Sequence, residues 1–362
     1  VFSVAGGKGG VGKSIFAVAL GTSLAMNGSR VALVDLDLGA ANLHTYLGII
    51  RRTPSIADFI LKKASSLEDI LVGTSQENLK LISGAEFVPG MANPAHGMKL
   101  KIMRHVKALP TDYVIIDLGA GVHFNTLDFF GMSDRGIVVT APEPGAVMNA
   151  YSFIKGAFFR KMQNVFRKHG EIGQVIDAET RKTGSDSAFT LEKMTALIRR
   201  MSPEMLPLIN EIEQVFSPVL VINKIAWGEK HVLVQNLIAL CREKLGLAVE
   251  HAGNLPDIPE IGGYLLRIPD FLQSREGKPY LHSVKNITKT IMNPAGNAEE
   301  TEIKKEFTDE DIEAISSLME SLDNSVFSGT GRETWKLRMF FKPAEVVSYL
   351  ISRGVTHAAF YK

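Results

Sequence analysis

Gly7-Lys8-Gly9-Gly10-Val11-Gly12-Lys13-Ser14 constrains this chain more than any other stretch. It follows a short apolar run, Val1 to Ala5, and opens an apolar, helix-periodic segment, Ser14 to Asn27. Strand, glycine loop and helix in that order form the context in which such a loop wraps a polyphosphate. Its glycines let the backbone turn its N–H groups inward, and the helix that follows adds its positive N-terminal end. In that arrangement Lys13 reaches the β- and γ-phosphates and the Ser14 hydroxyl binds Mg²⁺. Lys8 is an additional lysine ahead of the usual one.

The rest of the chain repeats the strand–helix alternation. Strands are predicted at Val1–Ala5, Val31–Asp35, Leu79–Ser83, Tyr113–Asp117, Gly136–Thr140 and Val219–Asn223. Runs such as Tyr113-Val114-Ile115-Ile116-Asp117 lack polar alternation, which suits strands buried on both faces. The predicted fold is therefore α/β, with a doubly wound and mostly parallel sheet. Ligands of such sheets lie beyond the carboxyl ends of the strands, which directs attention to Asp35, Asp117 and Asn223. Asn27-Gly28 is a left-handed stop for the first helix. Met98–Leu109 is a basic amphipathic helix, and its cations, Lys99 included, are expected on a solvated face.

Two segments exceed a minimal nucleotide domain. Residues 158–217 separate two strands by more than one crossover helix requires, and helices are expected there at Leu191–Met201 and Leu206–Phe216. Beyond residue 292, an acidic helical linker is expected over 293–330 and a small β-α-β module over 331–362. The core that carries the phosphate loop then covers 1–292.

Bulk properties exclude several classes. A net charge of +1 over 362 residues makes no electrostatic case for nucleic acid or an anionic membrane. No apolar run approaches the ~18–20 residues of a membrane span. The lone Cys241 cannot build a disulfide framework or a multi-cysteine metal site within one chain and reads as a buried core thiol, so a reducing cytoplasm is expected. The chain starts inside the first strand without an initiator methionine, so residues are expected upstream.

Two acidic clusters complete the chemistry. Val34-Asp35-Leu36-Asp37-Leu38-Gly39 continues to Asn42, and Ile115-Ile116-Asp117-Leu118-Gly119-Ala120-Gly121 closes another strand. An Asp that ends an apolar strand opposite a phosphate loop is placed to hold Mg²⁺, and this is the assignment for Asp117. Gly119 and Gly121 let the next loop approach the γ-phosphate and move when it leaves. Asp37 is placed to orient or deprotonate the attacking water and to join the metal shell, and Asp35 to support that shell.

Together these residues resemble the MinD/ParA family of P-loop ATPases with the deviant Walker A loop. Lys8 with Lys13, Asp35-x-Asp37-x-Gly39 with Asn42, and Asp117-Leu118-Gly119-Ala120-Gly121 carry the likeness. Ala141-Pro142-Glu143-Pro144 with Ala150-Tyr151-Ser152-Phe153-Ile154-Lys155 is similar to the FlhG/FleN flagellar-number branch. The resemblance implies ATP hydrolysis to ADP and phosphate in an ATP-dependent homodimer, with Lys8 crossing to the partner's nucleotide. It also implies adenine recognition by Asn223 and by the loop of Pro256. Gly39, Asn42, Gly119 and Gly121 fall in its switch segments. Its outputs are spatial, flagellar number and placement or cell-pole positioning, through protein partners in the cytoplasm or at the pole. Three features depart from the pattern: Leu118 replaces a small polar residue, Asn149 stands where the branch often has Asp, and the 158–217 insertion is additional. The acidic helix at Glu310–Asp323 has the wrong sign for anionic lipid, so peripheral membrane contact finds no support in the C-terminus. A ParA-like DNA-partitioning ATPase is the alternative, with Lys99–Lys107 and Arg160–Arg200 as its DNA-facing patches. A metal-cluster carrier needs bridging cysteines that this chain lacks.

Overall fold

The computed structural model describes residues 1–84, 94–181, 191–226 and 232–293. The polar stretch Gly184–Ser187, the acidic linker after Asn293 and the C-terminal β-α-β module expected from the sequence lie outside the described residues.

The first half runs β1 (Phe2–Ala5), α1 (Lys13–Met26), β2 (Val31–Leu36), α2 (Leu43–Tyr46), α3 (Ile56–Ile60), β3 (Val72–Gly73), β4 (Leu79–Ile82), α4 (His96–Lys107) and β5 (Tyr113–Leu118). Next come α5 (Phe124–Met132), β6 (Arg135–Thr140) and the long α6 (Pro144–Phe166). The chain continues through α7 (Gly170–Arg181), α8 (Leu191–Met201), α9 (Leu206–Val215), β7 (Val219–Ile225), α10 (Val232–Leu245), β8 (Glu250–Pro256), α11 (Ile268–Gln273) and α12 (Lys278–Met292). A main unit comprises Val1–Gly173 with Thr195–Ile303; Gln174–Met194 belongs to a second unit, which contributes the end of α7 and the start of α8.

The strands form one eight-stranded sheet in the order β3-β4-β2-β5-β1-β6-β7-β8. All neighbours are parallel except the short edge strand β3, which runs antiparallel to β4. All six predicted strands are present within two residues at each end. The sequence reading missed β3 and β8. β3 is only two residues long, and β8 (Glu-His-Ala-Gly-Asn-Leu-Pro) lacks a continuous apolar run and becomes a strand by pairing with β7.

The apolar runs are buried as their pattern requires. Every residue of β2 and all but the first of β5 are buried, because helices cover both faces of the sheet. On one face α1 is nearly wholly inside, its Phe16, Leu20 and Leu24 packing with Leu33, Leu79, Phe271, Tyr280 and Ile287 in a single core. Gly28 has φ +89°, the left-handed stop expected after Asn27. Cys241 is fully buried, and burial pushes its thiol up to about 12, which suits a structural thiol. Residue 158 lies inside α6, which continues unbroken to Phe166.

The basic face of α4 requires a correction. Lys99 is 5 % exposed, not solvated. Its ammonium binds Asp128 of α5, whose carboxylate also takes Arg160 and Asn164 from α6. Helical periodicity places Lys99 on the basic side of α4, but packing against α5 and α6 turns that edge inward.

Candidate functional site

The sheet order places β1 between β5 and β6, so the loop after β1 emerges where the connections diverge to opposite sides. This topological switch point is where an open α/β sheet forms a crevice. Residues 6–12 fill it and lead directly into α1, so the first-turn amides of a 14-residue helix face the crevice.

Two glycines there are sterically required. A Cβ on Gly7 would lie 1.8 Å from the Asn149 carbonyl oxygen. Gly12 has φ +89°, and a Cβ on it would lie 2.1 Å from the Asn223 amide nitrogen. Gly9 and Gly10 face open space, and Val11 anchors the loop in the core. Lys13 is buried, its stem folded against Gly6. Lys8 is exposed and lies 3.5 Å from Glu143, the residue before α6.

β2 and β5 pair in register, with Asp35 beside Asp117. Both are buried, and Asp117 interacts with the Ser14 hydroxyl and the Lys13 charge. Burial pushes Asp117 up to about 7, against the opposing pull of Ser14 and Lys13. Burial, reinforced by the Asp117 charge, also raises Asp35, against amide hydrogen bonds from Leu43 and Asp37. One oxygen of Asp117 is buried without a hydrogen-bond partner. An orphaned carboxylate oxygen beside a serine hydroxyl at a phosphate loop is a hard oxygen donor set, and it fits Mg²⁺.

The loop after β2 comes over the same crevice. Asp37 is half-buried and sits beside Gly119, where an added Cβ would lie 3.1 Å from its carboxylate. Gly39 and Asn42 are exposed in this loop, and Asn42 donates its side-chain amide to Ala40 O at 2.7 Å. Gly121 donates its N–H to Gly6 O at 3.1 Å, tying the loop after β5 to the start of the phosphate loop.

Asn223 and Pro256 stand near the ends of the neighbouring strands β7 and β8. Asn223 Nδ2 donates to Val11 O at 2.9 Å. Ile225 pairs with Pro256 and accepts the Asp257 N–H, so the ends of β7 and β8 form one wall. That bond uses one N–H of Asn223 and leaves its second N–H and its oxygen. Lys224, next to it, adopts φ +60°, an uncommon backbone for a side chain of its size.

The structure thus gathers Gly7 to Ser14, Asp37, Asp117, Gly119, Gly121 and Asn223 around one crevice. Sequence reasoning did not identify Glu143 as the neighbour of Lys8 or the two amides bound by Asp35. The Lys8–Glu143 contact and the Leu43 amide eight residues on leave no local sequence signal, whereas the Asp37 amide two residues on is a turn that an aspartate commonly makes.

Comparison with known proteins agrees with this geometry. The family model described as the CobQ/CobB/MinD/ParA nucleotide binding domain matches residues 2–325. The chain is 32 % identical over 164 residues to the flagellum site-determining protein YlxH of Helicobacter pylori, covering 42 % of this chain and 52 % of the relative. It is 30 % identical over 163 residues to the antiactivator FleN of Pseudomonas aeruginosa, covering 43 % and 55 %. The chain spans about half the length of the relatives it matches. Among solved structures, it is similar in fold to the septum site-determining protein MinD of Pyrococcus horikoshii, a complex with Mg-ADP. There the TM-score is 0.54 at 18 % identity, covering 82 % of this chain and 96 % of that one.

Proposed function

The chain belongs to the CobQ/CobB/MinD/ParA nucleotide-binding family, and from that premise we propose that it is an ATP-dependent dimerising switch. It hydrolyses ATP to ADP and phosphate, and it governs spatial organisation, flagellar number and placement or cell-pole position, through partner proteins. The observation that carries this reading is the buried, unpartnered oxygen of Asp117 beside Ser14 and Lys13 at the mouth of a phosphate loop.

The geometry supports a role for each residue. The amides of residues 7–14 cradle the phosphates, and Lys13 neutralises charge on the transferring group. Ser14 and Asp117 would hold Mg²⁺, and Asp37 would complete its shell or orient the water. Held there, Mg²⁺ would supply positive charge to offset what develops on the transferred phosphoryl group. Asp37 accepts the proton of the attacking water as its oxygen bonds to the γ-phosphorus and the bond to the bridging oxygen breaks. Lys8, exposed and paired with Glu143 at the surface, is free to cross to a second subunit and stabilise the charge that develops on its nucleotide. The loops of Gly39–Asn42 and Gly119–Gly121 sense the γ-phosphate, and Asn223 with the Pro256 loop receives adenine.

A positioning role is favoured by the likeness to a flagellum site-determining protein and an antiactivator. The DNA-partitioning alternative loses ground, since Lys99 and Arg160 of its proposed basic patches are engaged by Asp128. Among the described residues no helix is long and apolar enough to cross a membrane.

The test is the mass in solution, by light scattering, of wild type and Asp37→Ala with ADP and with ATP plus Mg²⁺. A monomer that dimerises only with ATP, and persists as a dimer in the variant, is the expected result. A mass that ignores nucleotide in both proteins would refute the switch.

A further inference from the structure

We propose that Asp35 is a positioning residue whose buried carboxylate clamps both ends of the loop Asp37–Leu43 and so holds Asp37 at the site. The catalytic consequence rests on the hydrolysis reading above; the clamp itself does not.

Asp35 is fully buried near the end of β2. Its Oδ1 accepts the Asp37 N–H at 3.1 Å, and its Oδ2 accepts the Leu43 N–H at 3.1 Å. One rigid side chain therefore ties down the first and last residues of the loop. Within the loop the bonds are local: Ala40 N–H to Asp37 O at 3.0 Å, and the Asn42 side chain to Ala40 O. Neither connects the loop to the sheet. Leu43 is fully buried, and a buried N–H needs a partner, which Asp35 supplies. Gly84, two residues past β4, packs closely against the same loop. A Cβ there would lie 2.3 Å from Ala41 Cβ and 3.1 Å from Asp35 Cγ.

The chemistry explains why an acid occupies a dry position beside Asp117. A carboxylate is the small side chain that accepts at both ends. Asparagine has nearly the same shape but would turn its NH₂ toward one of the two N–H groups, donor against donor. Burial beside Asp117 disfavours the ionised form of Asp35, and the two amide bonds oppose that cost. Because Asp37 is the first residue of that loop, the clamp sets the distance from its carboxylate to a water at the γ-phosphate. The two oxygens committed to amides also make Asp35 a loop anchor rather than part of the metal shell.

Two measurements test this. The first is amide hydrogen exchange on the nucleotide-free protein. Wild type should protect both the Asp37 and Leu43 amides. Asp35→Asn should speed exchange of at least one of them about 10-fold or more, with amides of β5 and β6 unchanged. Gly84→Ala leaves the carboxylate intact but wedges the loop, and it should give the same signature should Asp35→Asn fail to fold. Rapid exchange of either amide in wild type would overturn the clamp, as would unchanged exchange in both variants. The second is single-turnover ATP hydrolysis beside nucleotide affinity. The variants should keep affinity within about 3-fold and lose at least about 10-fold in hydrolysis, since a misplacement of ~1 Å can cost ~10²-fold. Exchange released with hydrolysis undiminished would overturn the positioning role. A wild type that does not hydrolyse ATP would overturn the switch reading and this catalytic consequence together, while the exchange result would still decide the clamp.

Discussion

Asp128 offers the sharpest test of how the helices of this fold are held. Its side chain is completely buried, and those of Lys99 and Arg160 are 7 % and 12 % exposed. One carboxylate oxygen receives Arg160 Nε at 2.6 Å and Asn164 Nδ2 at 3.2 Å; the other receives Lys99 Nζ and, at 3.1 Å, Arg160 Nη2. Burial opposes ionisation of Asp128, but the bonds from Arg160 and Lys99 prevail and hold its carboxyl below the ordinary range. Asp128→Asn keeps the volume and removes the charge, leaving two cations in a largely dry site. Lys99 would retain Asn125 Oδ1 at 3.0 Å, and Arg160 could still use Gln163 and the Phe124 ring. Breaking a buried pair in this way costs about 3–5 kcal/mol. At roughly 2 °C per kcal/mol for a unit of this size, the melting temperature should fall by about 6–10 °C. A variant combining Lys99→Met, Asp128→Leu and Arg160→Leu removes every charge together and should return to within about 1 kcal/mol of wild type, because the desolvation penalty disappears with the attraction. Differential scanning fluorimetry and urea unfolding of the three proteins measure both effects. A fall under ~2 °C for Asp128→Asn, or a triple variant as unstable as the single one, would refute the reasoning.

Gly12→Ala should abolish ATP binding in isothermal titration and lower stability by roughly 1–2 kcal/mol for the left-handed backbone alone, with the Asn223 clash added; binding near the wild-type level would remove Gly12 from the site's critical geometry. Burial raises both Asp35 and Asp117, the latter to about 7, so between about pH 4, where they titrate when unfolded, and about pH 7 the folded protein retains protons that the unfolded chain releases. Stability in EDTA should therefore fall as pH rises through that window, and stabilisation by Mg²⁺ should grow, since the metal competes with the proton; melting curves from pH 5.5 to 8.5 with a pH-independent Mg²⁺ effect would refute this.

Much of the site was legible in the residues themselves. A phosphate loop needs glycines where the backbone turns left-handed or touches its neighbours, and Gly12 and Gly7 meet those demands through short-range sterics. Strands buried on both faces need continuous apolar runs, and β2 and β5 carry them, so the run of residues alone puts Asp35 and Asp117 at strand ends. The likeness to the family then supplied roles that spacing alone leaves open.

Contacts between distant residues decided the rest. β8 is a strand because β7 offers it a ladder, not because its residues favour one. The Asn223 amide is committed to the phosphate loop 212 residues away, and no local pattern around Val221-Ile222-Asn223 announces that bond. Lys99 looks like any cation on an amphipathic helix until α5 and α6 bring Asp128 against it. The Leu43 amide on Asp35 depends on how the Asp37–Leu43 loop folds back over β2. Backbone conformation and periodicity depend on neighbours in sequence, so the chain alone determined the phosphate loop, the six apolar strands and the sheet class. Burial, charge pairing and the filling of hydrogen-bond vacancies depend on neighbours in space, and only the packed tertiary structure decided those.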